Sequence, residues 1–405
     1  MIQLLAANRS FTRLLLFRIL VVLAYQVTAV VAGWHVYQLT HDPLALGLIG
    51  LAEVIPYFSF ALFAGYAIDH YSRKMFGVAA CLLLVLNSLT LAAVSSGLFR
   101  ANPTAWIYSA IAVGGVARAF ISPSYSAMFA LILPRESYAR AAGIGTSVFQ
   151  LGLIVGPALG GIMVAVLGKT SSYGIAAGFC ILAAMSLFSI RIGEAPAAES
   201  APVLKSIAEG LRFVFGNQIV LGAQSLDMFA VLFGGAVSLL PAFVHDLFHT
   251  GPEGLGLLRA APAVGGMVTG LLLARHPIRV NNGRWLLGAV AGFGICIIAF
   301  ALSPGFWIAT IFLLLSGICD GVSVVTRTTI LQLATPDAIR GRVSAINGIF
   351  IGSSNELGAF ESGVAARFLG LVPSVIFGGV MTLAVVVSTG LLAPGLRRLE
   401  LRHLE

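Results

Sequence analysis

The chain is 405 residues long, 58% hydrophobic and only 10% charged, with a mean hydropathy of +0.97 and a formal net charge of +8. A soluble globule carries charge on about a quarter of its residues, so this composition excludes one. The Lys and Arg excess is scattered over short connections, which reads as membrane topology and argues against a nucleic-acid partner.

Arg13 and Arg18 run straight into the first apolar run, so the beginning of the chain reads as an uncleaved anchor and not as a signal peptide. Twelve runs reach the roughly 20 residues a helix needs to cross a bilayer. They lie at about 14–38, 44–68, 76–97, 104–130, 142–167, 173–191, 218–245, 254–275, 284–302, 305–331, 343–368 and 371–393. With the N-terminus placed in the cytoplasm, Arg9, Arg73, Lys74, Arg140, Arg212, Arg340 and Arg398 fall inside, and Arg100, Lys169 and Arg367 fall near the outer face. Both termini are therefore expected in the cytoplasm. Cys81, Cys180, Cys296 and Cys319 sit within apolar spans without metal-ligand spacing and read as small buried hydrophobes.

The chain repeats itself. Pro134–Arg140 parallels Pro336–Arg342 at an offset of 202, which carries Gly161 onto Gly363; earlier, an offset of 209 carries Pro43 onto Pro252 and Gly47 onto Gly256. Two six-helix bundles, 1–191 and 217–405, are expected, joined by a cytoplasmic linker at 192–216 that ends in a surface helix. Duplicated bundles of this kind serve alternating access in secondary transporters.

The loop after the second span reads Gly65-Tyr-Ala-Ile-Asp69-His-Tyr-Ser-Arg73-Lys74. It resembles the gating loop of the major facilitator superfamily at the residues that carry its electrostatics. Ala67, His70 and Ser72 depart from that pattern, and the second-half equivalent, 274–284, lacks the acid. The fifth span contains Gly152-Leu-Ile-Val-Gly156-Pro157-Ala-Leu-Gly160-Gly161, which matches the antiporter motif of the same superfamily at every fixed position. Glycines at that spacing let helices approach closely, and a membrane tolerates the proline because neighbours re-satisfy the freed carbonyl. The segments Trp34–Gly47 and Ser354–Gly363 look like the bacterial subgroup of enterobactin exporters and macrolide efflux proteins.

The resemblance implies an all-α membrane fold of twelve helices in two pseudo-symmetric bundles, with helices one, four, seven and ten lining a central cavity. It implies that Gly65 lets helices approach, that Asp69 gates, and that Arg73 and Lys74 anchor the loop. On the cavity helices lie Arg18, Tyr25, Gln26, Arg118, Tyr125, Asp227, Asp320 and Arg327. Ionisable groups inside spans are costly unless paired or wet, which makes them functional candidates. Arg118 and Asp320 fall at equivalent depths and are expected to face each other, whereas Arg18 and Arg327 can be satisfied locally. Asp227 has no basic residue within a helical turn in sequence and is the first candidate for proton coupling. Glu53, Glu356 and Glu361 form a second set of acids on helices two and eleven, where an interhelical hydrogen bond is an equal alternative. Arg259 could partner one of these acids, and His35, His245 and His249 are expected solvated at the outer rim.

No nucleotide-binding motif, catalytic constellation or metal-ligand cluster is visible in the sequence, so an ATP-driven pump and an enzyme are not expected, and no cofactor is called for. The expectation is a monomeric, proton-coupled exporter of a small amphipathic molecule in a bacterial inner membrane. A proton symporter importing a solute, or a non-transporting receptor-like relative, is the alternative.

Overall fold

A computed structural model describes residues 8–99, 101–191, 203–278, 280–336 and 339–400. Among them every regular element is helical. The first half holds α1 (Arg9–Thr40), α2 (Pro43–His70), α3 (Arg73–Ser95) and α4 (Pro103–Ile132). A continuous stretch, Tyr138–Phe188, then breaks at Gly168 into two limbs, α5 (138–167) and α6 (169–188). Gly168 has φ +77°, a left-handed value that lets one unbroken run of apolar residues turn back into the bilayer without a loop.

After α7 (Val203–Gly216), α8 (Gln218–Phe233) continues through a 3-10 turn at Ala236–Leu239 and a π-turn at Phe243–Leu247. Then follow α9 (Pro252–Arg275), α10 (Asn282–Ala301), α11 (Phe306–Ala334), α12 (Arg340–Leu369) and α13 (Leu371–Leu392). Ten stretches among the described residues are long and apolar enough to span a membrane. That number and the twelve expected runs agree once two facts are set beside it. The 49-residue stretch Arg140–Phe188 holds two spans across Gly168, and α12 is long enough but too polar to qualify. α7 is the expected surface helix; its Val214 joins a core with Val220, Leu331, Val343 and Ile346, and Glu209 pairs with Arg342.

The chain forms two compact units that are not contiguous in sequence. One takes Met1–His41, Leu51–Ser200 and Thr250–Ala260, and the other Asp42–Gly50, Ala201–His249 and Ala261–Glu405. In the first unit Leu14, Phe17 and Leu20 of α1 pack with Leu84, Met128 and Leu187. In the second, Leu226, Leu286, Val290, Ile330 and Leu396 make the equivalent core.

The exchanged segments rest on glycines. In the first unit, a Cβ on Gly161 would stand 2.9 Å from the Cα of Gly256; in the second, a Cβ on Gly363 would stand 2.8 Å from the Cα of Gly47. These four are the residues that the 202 and 209 offsets relate, so the repeat in sequence is a repeat of one helix crossing. Each crossing is too close for any side chain, and packing of this kind drives association where water supplies no hydrophobic force.

Candidate functional site

In the first unit a polar cluster is built where α2 and α4 touch. Gly115 on α4 makes the approach, since a Cβ there would lie 3.3 Å from the Cα of Glu53. Arg118, three residues on, shares that helix face. Its Nη1 donates to Oε1 of Glu53 at 2.7 Å and to the hydroxyl of Tyr25 on α1 at 3.2 Å. The Tyr25 hydroxyl donates in turn to the same carboxylate oxygen at 2.9 Å. The guanidinium lies 5.2 Å from the Tyr25 ring centroid and 5.4 Å from that of Tyr57. The Glu53 side chain is 10% exposed and that of Arg118 is 32% exposed. An acid nearly out of water thus holds a cation that is still partly in reach of it.

This arrangement corrects one expectation. Arg118 finds its acid in its own unit and not in Asp320, which makes no hydrogen bond or ion pair among the described residues. Glu53, grouped in sequence with Glu356 and Glu361, is a member of this cluster. The cause is helix rotation: α2 turns the face carrying Glu53 and Tyr57, one turn apart, toward α1 and α4. Tyr57 escaped the sequence reading, although its i,i+4 spacing from Glu53 marks the shared face.

The second unit holds a different pair. Asp227 of α8 and Arg327 of α11 are in direct contact, with side chains only 8% and 4% exposed. Asp227 therefore has a counter-charge, contrary to the expectation drawn from its sequence neighbours, because the partner comes from 100 residues further along. Around Glu356 and Glu361, α12 is otherwise defined by close packing: Gly358 sits against the backbone of Val231 and Leu232 in α8.

The antiporter-motif glycines face α1. Cβ atoms on Gly152, Gly156 and Gly160 would press on Val22, Gln26 and Val27 respectively, and Gly161 meets α9 at Gly256. Gln26 is thereby fixed by its own stem against Gly156. In the gating loop, Lys74 donates to the carbonyl oxygens of Phe188 and Ile190 at 3.3 and 3.4 Å, and Arg13 donates to that of Ser189 at 2.6 Å. Among the described residues, nothing lies within 4 Å of where a Cβ on Gly65 would be. Arg73 is half-buried, and the side chain of Asp69 lies outside what the structure describes.

At the other end of the molecule Lys169 donates to Gln38 Oε1 at 3.0 Å, and Arg367 to Asp42 Oδ2 at 2.6 Å. Arg259 donates to the Ala29 carbonyl at 3.0 Å. His35, expected at a wet rim, is 3% exposed and lies 3.4 Å from the Tyr173 hydroxyl. The four cysteines are free, with Cys81 and Cys180 buried as expected and Cys296 and Cys319 half-buried.

A two-unit helical bundle with this duplicated crossing matches the Major Facilitator Superfamily model over residues 14–359. The chain belongs to the major facilitator superfamily. It is therefore a multi-pass membrane transporter by family, and the twelve-helix fold read from the sequence stands. Among curated relatives, the multidrug efflux pump Tap of Mycolicibacterium fortuitum is 27% identical over 358 residues, 85% of this chain and 86% of that protein. The enterobactin exporter EntS of Citrobacter koseri is 24% identical over 348 residues, 85% of this chain and 82% of that one. Among solved structures, a POT family transporter in complex with 5-aminolevulinic acid superposes with a TM-score of 0.77 at 10% identity, covering 96% of this chain and 97% of the other. A bacterial homologue of the human lysosomal transporter Spinster does so with a TM-score of 0.72 at 17% identity, over 98% and 97%. At those identities the solved structures speak for the fold alone.

Proposed function

We propose that this superfamily member exports a small amphipathic molecule across a bacterial inner membrane by proton antiport, with Glu53 as the acid that carries the proton. The observation behind this reading is the single carboxylate oxygen that receives both Arg118 and Tyr25. Ionised, Glu53 holds the guanidinium; protonated, it can no longer offset that charge, and Arg118, whose side chain is already a third exposed, is released. Proton uptake is thereby converted into a change in what Arg118 can bind, the exchange that antiport requires. Being named efflux pumps or exporters, the curated relatives support the outward direction, as does the fifth-span glycine motif.

In this reading 1–191 and 217–405 are the two bundles that alternate access, 192–216 is their cytoplasmic linker, and both termini are cytoplasmic. Asp69 would bias the gate, and the working unit is the monomer. Expression in an efflux-deficient bacterial host tests the reading through accumulation of fluorescent amphipathic compounds. At least one compound should accumulate less, and a protonophore should erase the difference. Enhanced uptake across the whole panel would transfer the reading to a symporter.

A further inference from the structure

Arg18 is a charge inside a membrane-spanning helix that no acid among the described residues balances. It stands nine residues into α1, half-buried, and makes no hydrogen bond or ion pair among the described residues. Its guanidinium carbon lies instead 4.1 Å from the ring centroid of Tyr125 on α4 and 5.1 Å from that of Phe149 on α5. Rings of this kind hold a desolvated cation but accept none of its N–H bonds in the plane, so the donors of Arg18 remain unused.

A second donor is left over at the same place. The hydroxyl oxygen of Tyr125 is buried with no hydrogen-bond partner, in a protein class where buried polar atoms are nearly always satisfied. Gly145 explains the convergence: a Cβ built on it would lie 2.5 Å from that oxygen and 3.6 Å from Arg18 Nη1. Both groups therefore end against the same turn of α5. Phe149 flanks the guanidinium and is itself 37% exposed. One unpaired cation, one unpaired hydroxyl that can donate and an aromatic face are the complement of an aromatic acid.

We infer that Arg18, Tyr125 and Phe149 form an anion subsite that takes the carboxylate of an amphipathic aromatic substrate. The guanidinium and the phenol would each donate to one carboxylate oxygen, and Phe149 would lie against the ring that carries it. This deepens the export reading by naming the charge of the cargo, but binding tests it whether or not the protein exports anything.

The full chain is reconstituted in nanodiscs of zwitterionic lipid, and affinity is measured for radiolabelled 2-naphthoate and for uncharged 2-naphthamide, which shares its ring. Wild type should prefer the carboxylate. Arg18→Gln should weaken 2-naphthoate about tenfold or more, the loss of a charge-assisted hydrogen bond, and 2-naphthamide less than about twofold. Tyr125→Phe keeps the ring under Arg18 and removes only the hydroxyl, so it should weaken 2-naphthoate about fivefold with an unchanged melting temperature. That second variant decides the matter should Arg18→Gln fail to fold. Equal losses for both ligands, no preference in wild type, or full affinity in Tyr125→Phe would overturn the subsite. So would phosphatidylglycerol nanodiscs stabilising wild type but not Arg18→Gln while 2-naphthoate has no effect, which would give the site to a lipid phosphate.

Discussion

Among the described residues, each unit contains one ion pair between membrane-spanning helices, and the two pairs differ in what surrounds them. Glu53 and Arg118 share their bond with a tyrosine hydroxyl, stand among two aromatic rings, and leave the guanidinium a third exposed. Asp227 and Arg327 are shut away together, both under a tenth exposed. A pair that keeps one partner near water can be broken and remade, because the freed ion has somewhere to go. A pair sealed on both sides cannot, since separating it would strand two charges in a medium that solvates neither. Counting charges would rank the units as equals; under the export reading proposed above, accessibility favours the first pair for coupling and the second for framework.

Breaking the sealed pair should have the largest effect. Arg327→Leu strands Asp227 and should cost about 3–5 kcal/mol, seen as poor yield and a much lower melting temperature in detergent. The double variant Asp227→Leu with Arg327→Met removes both charges and should recover most of that loss. A double variant as unstable as the single one would mean that the pair does more than neutralise itself.

Glu53→Gln should leave folding intact while removing the charge that Arg118 answers to. Hydrogen bonds to charged groups are worth about 1.5–3 kcal/mol, so gradient-driven efflux in inverted vesicles should fall about 10- to 100-fold. Substrate counterflow, which needs no proton, should survive. Gradient dependence retained in Glu53→Gln but lost in a folded Asp227→Asn would reverse the comparison.

Tyr25→Phe removes one of the two donors to Glu53 Oε1 and should shift the coupling equilibrium about fivefold, read as a displaced pH midpoint of transport. Asp320→Asn should do least, with efflux within about twofold of wild type, because it makes no hydrogen bond or ion pair among the described residues. Severe uncoupling by Asp320→Asn would move the proton site to α11.

What could be read without coordinates was whatever depends on spacing along the chain. Apolar runs marked the spans, and the offsets of 202 and 209 related the four glycines that pack in pairs, Gly47 with Gly363 and Gly161 with Gly256. What could not be read depends on how each helix is turned about its axis. Glu53 meets Arg118 across 65 residues and Asp227 meets Arg327 across 100, distances over which sequence neighbours say nothing of counter-charges. His35 looked solvated for the same reason, its partner Tyr173 being 138 residues away.

The polarity of α12 bears on how the protein is made. Along its 30 residues it carries Asn347, Ser353, Ser354, Asn355, Glu356, Glu361 and Ser362, and an acid at mid-bilayer costs an inserting helix about 2.5–3.5 kcal/mol. Released alone from the ribosome, such a segment prefers the aqueous side. Its docking surface is α8, which is synthesised well before it and against whose carbonyls Gly358 packs. Entry of α12 into the membrane is thus an act of tertiary folding, and a nascent chain that ends at Leu369 should hold its final span only while α8 is there to receive it.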